Sequence, residues 1–291
     1  MKAKLYSLVF AGATLALPTI LCAQHYVPGA EGIKGASIPP PGFYLRDYNV
    51  FYTASRLNDA DGDEVPVDFN AMVYANVIRG IWVSEAKVLG GNFVMDALIP
   101  FQYTDLEVGG FEDDAFGIGD IYIEPACIAW HGKRWDAALG YSIWAPTGEF
   151  DAGSAEPGLG FWGHMITAGA TYYFDEKKTW AISLLNRYEF NTEQEDTDIT
   201  PGQQWTLEWG ISKSLKPTID VGLVGYYVLQ TTEDSGPGAS SDRGSVAGVG
   251  PEIVMLCTKL GVFTSLRYNY EFSAEDRPQG HTIALTFTKR L

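Results

Sequence analysis

The last eleven residues of the chain, 281–291, read HTIALTFTKRL and alternate between apolar and polar side chains. Because successive side chains of an extended strand point to opposite sides, this alternation predicts a β-strand with one apolar and one polar face. The apolar face carries Ile283, Leu285, Phe287 and Leu291. The polar face carries Thr282, Thr286, Thr288 and Arg290.

Eleven more stretches have the length and composition of strands, although the first and the sixth alternate poorly. Each is long enough to cross a bilayer, which takes about 9–11 residues of a tilted strand. The twelve predicted strands span residues 43–54, 67–84, 92–104, 117–130, 135–146, 161–174, 179–190, 203–212, 218–230, 246–256, 261–272 and 281–291. We therefore predict an all-β fold, a transmembrane antiparallel up-and-down β-barrel of about 12 strands.

The connections between the predicted strands alternate in length and in charge. The long ones hold 21 acidic residues against three arginines and cover residues 55–66, 105–116, 147–160, 191–202, 231–245 and 273–280. The short ones hold eight basic residues against three acidic ones and cover residues 85–91, 131–134, 175–178, 213–217 and 257–260. Long loops at one end and short turns at the other are typical of bacterial outer-membrane barrels. The pattern predicts an outer-membrane location in a Gram-negative bacterium.

In a membrane barrel the polar face of each strand lines the lumen, whereas the apolar face contacts lipid. The inward positions predicted by alternation are Asp96, Asp120, Tyr122, Glu124, Arg187, Glu189, Glu208, Asp220, Tyr226, Glu252, Arg267, Asn269 and Glu271. Two roles remain open for these residues: charge networks that stiffen a narrow lumen, or the lining of a solute path.

The N-terminus predicts three segments. Residues 1–23 have a basic start and an apolar run that ends before a small residue, which is typical of a signal peptide. Residues 24–42 are rich in Pro and Gly and lie either in the periplasm or in the lumen. Residues 43–291 form the predicted barrel.

No motif predicts catalysis or a cofactor, and we expect the protein not to be an enzyme. The acidic residues Asp59, Asp61 and Asp63 have the spacing of a calcium loop, but the positions that follow do not fit one, so a solvated loop is the favoured interpretation. Cys127 and Cys257 fall on opposite walls of the predicted barrel, too far apart for a disulfide. We expect both thiols to be free and to face lipid.

Several short motifs resemble a known family. The residues are HYVPGAEGIKGAS at 25–37, PPPGFYLRDYN at 39–49, RLND at 56–59, GDIYIEP at 119–125 and WHG at 130–132. They resemble an outer-membrane β-barrel family named for the meta-pathway of phenol degradation and often described as transporters. The resemblance implies a barrel with a signal peptide in bacteria that degrade aromatic compounds. It brings no catalytic residue set with it.

The favoured function is therefore a channel or transporter for small hydrophobic or aromatic compounds. The first alternative is a non-conducting barrel with an adhesin, receptor or structural role. The second is a soluble secreted β-barrel that binds an apolar ligand. The expected partners are outer-membrane lipids, lipopolysaccharide and a small apolar or aromatic solute. The formal net charge of −16 argues against nucleic acid.

Overall fold

The computed structural model describes residues 24–291, so the predicted signal peptide lies outside the described residues. These residues form thirteen strands, numbered in chain order. They are β1 Gly42–Asn58, β2 Phe69–Val88, β3 Gly91–Val108, β4 Phe111–Ile118, β5 Ile121–His131, β6 Trp135–Ala145, β7 Gly163–Tyr173, β8 Trp180–Asn191, β9 Gln204–Lys216, β10 Ile219–Gln230, β11 Ser245–Cys257, β12 Val262–Glu275 and β13 Arg277–Arg290. Among the described residues, no helix is long and apolar enough to cross a membrane.

The strands form a closed antiparallel ring. Each strand except β4 pairs with the next along the chain, and β13 pairs with β1, which closes the barrel. Both β4 and β5 pair with β3, because they are two halves of one wall strand interrupted at Gly119 and Asp120. The described residues therefore give twelve wall positions, and the predicted strand number is confirmed.

The exterior of the barrel is apolar and the interior is polar. On β13, Ile283 is 47% exposed on the outside, whereas Thr282 and Thr286 are buried inside. The interior also buries charged groups such as Glu124 and Arg267. A water-soluble protein has the opposite arrangement, so the soluble alternative does not hold.

The two ends of the barrel differ, and we name them the loop end and the turn end. At the turn end, short connections such as Leu89-Gly90 join neighbouring strands, and both of these residues have positive φ, as a type I′ hairpin requires. The start of β1 and the end of β13 also lie at the turn end, where the backbone N–H of Leu291 donates a hydrogen bond to the carbonyl oxygen of Phe43. The loop end carries the long connections 146–162, 192–203 and 231–244.

Two of the predicted long loops are wrong. Residues 105–116 continue β3 and β4 up to a tight turn at Gly109 and Gly110, and residues 273–280 continue β12 and β13 up to Asp276. The acidic side chains in these stretches suggested loops. They lie on strand extensions at the loop end, where both faces of a strand tolerate charge.

Candidate functional site

Residues 24–41, the N-terminal segment, lie inside the barrel. Near the turn end, Ser37 Oγ lies 3.0 Å from Tyr173 Oη, and Lys34 Nζ lies 2.6 Å from Asp220 Oδ2. At the other end of the segment, His25 Nδ1 lies 2.7 Å from Glu189 Oε1, close to the loop end of β8. The segment therefore enters from the turn end and runs up through the lumen.

The centre of the N-terminal segment is held by Glu31. Its carboxylate accepts hydrogen bonds from Arg46 Nη1 at 2.7 Å, from Arg79 Nη1 at 3.0 Å and from Tyr48 Oη at 3.0 Å. Burial alone would raise the pKa of Glu31, but the two guanidinium groups lower it to about 2. Glu31 is therefore charged at neutral pH and is the main ionic anchor of the segment.

Charge pairs within the wall position the side chains that contact the N-terminal segment. Arg79 makes a two-pronged contact with Asp96, with both donor–acceptor distances at 2.8 Å. Arg187 pairs with Glu208 and lies over the ring of Tyr26 at 4.0 Å. A two-pronged contact such as Arg79–Asp96 fixes the orientation of both side chains as well as pairing their charges. The N-terminal segment thus completes charge networks that the wall begins.

The backbone of the segment also bonds to the wall. Arg267 donates to the carbonyl oxygen of Gly29, and Glu208 Oε1 accepts from the backbone N–H of Glu31 at 3.1 Å. Gly32 lies so close to the Glu252 carboxylate that a Cβ there would sit 2.0 Å from Oε2. Any larger residue at this position would have to displace the Glu252 carboxylate from its contact with the segment.

His25 anchors the loop end of the segment. Its ring lies between Asp120 and Glu189, stacks on Trp144 at 5.4 Å and meets the edge of Phe161 at 4.6 Å. The 3.2 Å contact from Nε2 to Asp120 is an ion-pair distance without hydrogen-bond geometry. Burial would lower the pKa of His25, but its contacts with Asp120 and Glu189 raise it to about 9.

Asp120 joins the N-terminal segment to the loop 146–162. It lies at the break between β4 and β5, where the backbone belongs to neither strand. Asp120 Oδ1 accepts from the backbone N–H groups of Thr147 and Gly148, each at 3.0 Å, and Oδ2 accepts from Leu159 at 2.9 Å. One carboxylate therefore positions both the loop and the tip of the segment.

A cavity of about 540 Å³ lies between the N-terminal segment and the loop end. Most of its exposed lining is apolar, from aliphatic and aromatic side chains of neighbouring strands, but charged side chains such as Arg79, Arg187 and Glu271 also reach it. The wall residues include Val50, Val73, Ala75, Val77, Leu98, Tyr122, Trp144 and Met165. The loop residues Phe150 and Leu159 and the segment residues His25 and Tyr26 also line it. The cavity is large enough for a single aromatic ring.

The structure places all thirteen predicted lumen residues inside the barrel, and all except the half-buried Asp220 are buried. It brings together Asp96 with Glu124, Arg187 with Glu208, Glu252 with Arg267, and Tyr226 with Glu271. Asp120 and Glu189 meet through His25. The side chain of Asn269 makes no hydrogen bond with the described residues. That any of these residues lines a solute path stays a proposal.

Turn geometry explains the calcium-like spacing of Asp59, Asp61 and Asp63. Asp59 Oδ1 accepts from the backbone N–H groups of Asp61 at 3.0 Å and of Asp63 at 2.9 Å. An aspartate side chain often stabilises its own turn in this way. Within residues 24–291, no group of three or more His, Cys, Asp or Glu side chains suits a metal ion.

The expectation for the cysteines is half right. Cys127 and Cys257 are both free, and Cys257 is exposed, but Cys127 is buried inside the barrel. The register of β5 shifts between Ile123 and Ala126, so the side chains beyond this bulge change face. Cys127 therefore faces the lumen and not lipid.

Sequence reasoning missed the partners of the lumen residues. His25, Tyr26, Glu31 and Lys34 were not assigned because residues 24–42 have no strand periodicity. Arg46 lies on β1, the strand that alternates poorly. The available signal was chemical, since charged side chains in a Gly-rich segment need partners if the segment is buried.

The family of the chain follows from its sequence. A family model described as "Putative MetA-pathway of phenol degradation" matches residues 54–287, and the chain belongs to this family. No curated protein matches the chain.

Solved structures show the same fold. The COG4313 outer membrane channel from Pseudomonas putida F1 is 15% identical, with a TM-score of 0.78 over 92% of this chain and 100% of that one. The beta domain of the Bordetella autotransporter Brka is 11% identical, with a TM-score of 0.54 over 86% and 99%. The translocator domain of autotransporter NalP from Neisseria meningitidis is 11% identical, with a TM-score of 0.51 over 89% and 92%. The fold is that of bacterial outer-membrane β-barrels.

Proposed function

We propose that the protein is an outer-membrane channel that admits small apolar or aromatic molecules through its loop end. The observation that carries the proposal is the largely apolar cavity of about 540 Å³ above the N-terminal segment. A pocket with apolar walls and a few polar groups suits a ring that bears one polar substituent. The family description supports the same class of compound.

In this proposal the N-terminal segment forms the closed state. The segment fills the lumen below the cavity, and the ion pairs of Glu31 and Lys34 hold it there. A solute that enters the cavity therefore passes only after part of the segment moves. The buried lumen residues act mainly as anchors for the segment, and a subset lines the path once the segment has shifted.

The filled lumen also favours one alternative, a non-conducting barrel with a structural or receptor role. The acidic connections at the loop end would then be the functional surface, in contact with lipopolysaccharide through shared divalent cations. The two functions differ in one measurable property, the passage of solute. We do not assign an enzymatic activity in either case.

The test fills the cavity without touching the anchors. Val77 lines the cavity, and a Val77→Trp variant should lower the uptake of labelled phenol by cells that produce the protein. The matched control is Leu184→Trp, because Leu184 lies on the lipid-facing side of β8 and is 47% exposed. The channel proposal predicts that only Val77→Trp lowers uptake below wild type.

Two results would contradict the channel. One is equal uptake by the two tryptophan variants when both are folded and present in equal amounts. The other is uptake by wild-type cells no faster than by cells that lack the protein. The second result, together with absent conductance in planar bilayers, would favour the non-conducting barrel.

A further inference from the structure

The lipid-facing side of β1 and β2 carries a polar cluster. Asp47, Asn49 and Asn76, which we call the outer polar patch, point outward because their neighbours Tyr48, Val50 and Ala75 are buried inside. Asn49 pairs directly with Asn76 across the two strands. The patch therefore lies on the surface that elsewhere contacts acyl chains.

The patch lies well inside the apolar band. Phe43, at the turn end of β1, stacks on Trp82 and marks the aromatic boundary of the membrane. A tilted strand rises about 2.5 Å per residue along the barrel axis. Asp47 and Asn49 therefore lie about 10 and 15 Å above the level of Phe43, within an apolar band about 25 Å tall. Neither headgroups nor bulk water reach this depth.

The hydrogen bonds within the patch leave some of its donors and acceptors without partners. Asn76 Nδ2 donates to Asp47 Oδ1 at 2.7 Å and also lies 3.3 Å from Tyr48 O and from Asn49 Oδ1, so its hydrogens are used within the molecule. Asn49 Nδ2 donates to Asp47 Oδ1 at 3.3 Å, which leaves its second hydrogen unused. Tyr74 Oη donates to Asn49 Oδ1 at 2.9 Å. Within the described residues, Asp47 Oδ2 accepts no hydrogen bond and no Lys, Arg or His pairs with Asp47.

Another outward amide at comparable depth is covered. Asn186 on β8 accepts a hydrogen bond from the indole N–H of Trp205 at 3.3 Å, so a large aromatic ring lies over its polar group. The outer polar patch instead combines a carboxylate with two amides. Exposed polar groups of this kind are costly in hydrocarbon unless another protein surface covers them.

We propose that the outer polar patch is the contact surface for a second copy of this chain within the membrane. The patch is self-complementary, because each copy offers an unused amide hydrogen on Asn49 and a free acceptor at Asp47 Oδ2. A two-fold axis through the patch would let each copy donate to the carboxylate of the other. The outward side chains of Phe51, Ile78 and Phe287 surround the patch and would form an apolar rim.

The test compares two single cysteines in a Cys257→Ser background. Phe51→Cys places a thiol on the rim, whereas Leu184→Cys places one on β8, six wall positions away and thus on the opposite side of the barrel. After mild oxidation of isolated outer membranes, Phe51→Cys should give at least a tenfold larger fraction of disulfide-linked dimer than Leu184→Cys. Equal fractions would overturn the proposal.

A second variant tests the polar groups themselves. Replacing all three patch residues with leucine should reduce the Phe51→Cys dimer to the level of the Leu184→Cys control, with the barrel still folded by its heat-modifiable mobility on gels. Persistence of the dimer in this folded variant would contradict the role of the patch. If the variant does not fold, the cysteine comparison in the otherwise unchanged protein decides. A Phe51→Cys adduct to a different protein would overturn the assignment to a second copy.

Discussion

The lumen near the turn end is filled, whereas the lumen near the loop end is open. In the filled half, Glu31, Arg46 and Arg79 form a charge cluster that binds the N-terminal segment. In the open half, the exposed lining of the cavity is mostly aliphatic and aromatic, and Glu31 and Arg79 lie at its boundary with the filled half. One interior therefore serves two purposes: paired charges bind the N-terminal segment, and the mostly apolar surface above it leaves space for a solute.

The largest change in conductance should come from reversing the charge at the centre of the filled half. Glu31→Lys removes the carboxylate that binds Arg46 and Arg79 and places a third cation beside them. Loss of one partner of a buried pair costs about 3 kcal/mol or more, which corresponds to a roughly hundredfold change in the ratio of open to closed states. We expect a large rise in the conductance of the protein in planar bilayers.

The control is Glu233→Lys, which makes the same charge change on the exposed connection between β10 and β11. It should conduct as the wild type does. If Glu31→Lys folds and conducts no more than Glu233→Lys, the N-terminal segment does not close the lumen.

A smaller effect should follow from pH through His25. The folded pKa of about 9 exceeds the ordinary value of 6.5, so the stabilisation from the protonated ring is full below pH 6.5 and is lost as the pH rises through about 9. Above that pH the neutral ring no longer compensates Asp120 and Glu189. Conductance should then rise, but less than for Glu31→Lys, because the anchors at Glu31 and Lys34 remain.

A His25→Gln variant separates this group from other titrations. Glutamine keeps a hydrogen-bond donor but does not titrate, so its conductance should change little between pH 7 and 10. If the variant kept the rise in conductance that the wild type shows at high pH, His25 would not be the group responsible.

The smallest expected effect concerns the extension of β3 and β4 beyond the cavity. Glu107 lies directly opposite Glu112, and like charges at such positions destabilise a strand pair. Glu112→Lys should raise the free energy of unfolding by about 0.5 kcal/mol and leave conductance unchanged. Urea unfolding in lipid vesicles measures the first quantity. A loss of stability would argue against an extended hairpin at residues 105–116.

The wall of the barrel was largely predictable from sequence, because alternation reports directly on lipid and lumen faces. The faces of Ile283 and Thr286 follow from it. Two features escaped this reasoning for physical reasons. The bulge after Ile123 reverses alternation and moves Cys127 inward, and acidic residues on the extended β3 and β4 have the composition of a loop.

The contents of the lumen were not predictable in the same way. Inward charges such as Glu208 and Glu252 were identified, but their partners in the N-terminal segment lie more than 150 residues away in sequence, in a stretch without periodicity. Strand alternation carries no information on such distant contacts. The charge balance of the interior becomes evident only when the N-terminal segment is placed inside it.

The most direct test of the account is to lock the N-terminal segment in place and measure single-channel conductance. Ala36 donates its backbone N–H to Ser183 Oγ at 3.3 Å, so an Ala36→Cys, Ser183→Cys pair in a Cys257→Ser background joins the segment to β8. We predict that the oxidised protein does not conduct and that reduction restores the conductance of the Cys257→Ser parent. Equal conductance in the oxidised and reduced states, with the disulfide verified by mass, would contradict closure of the lumen by this segment.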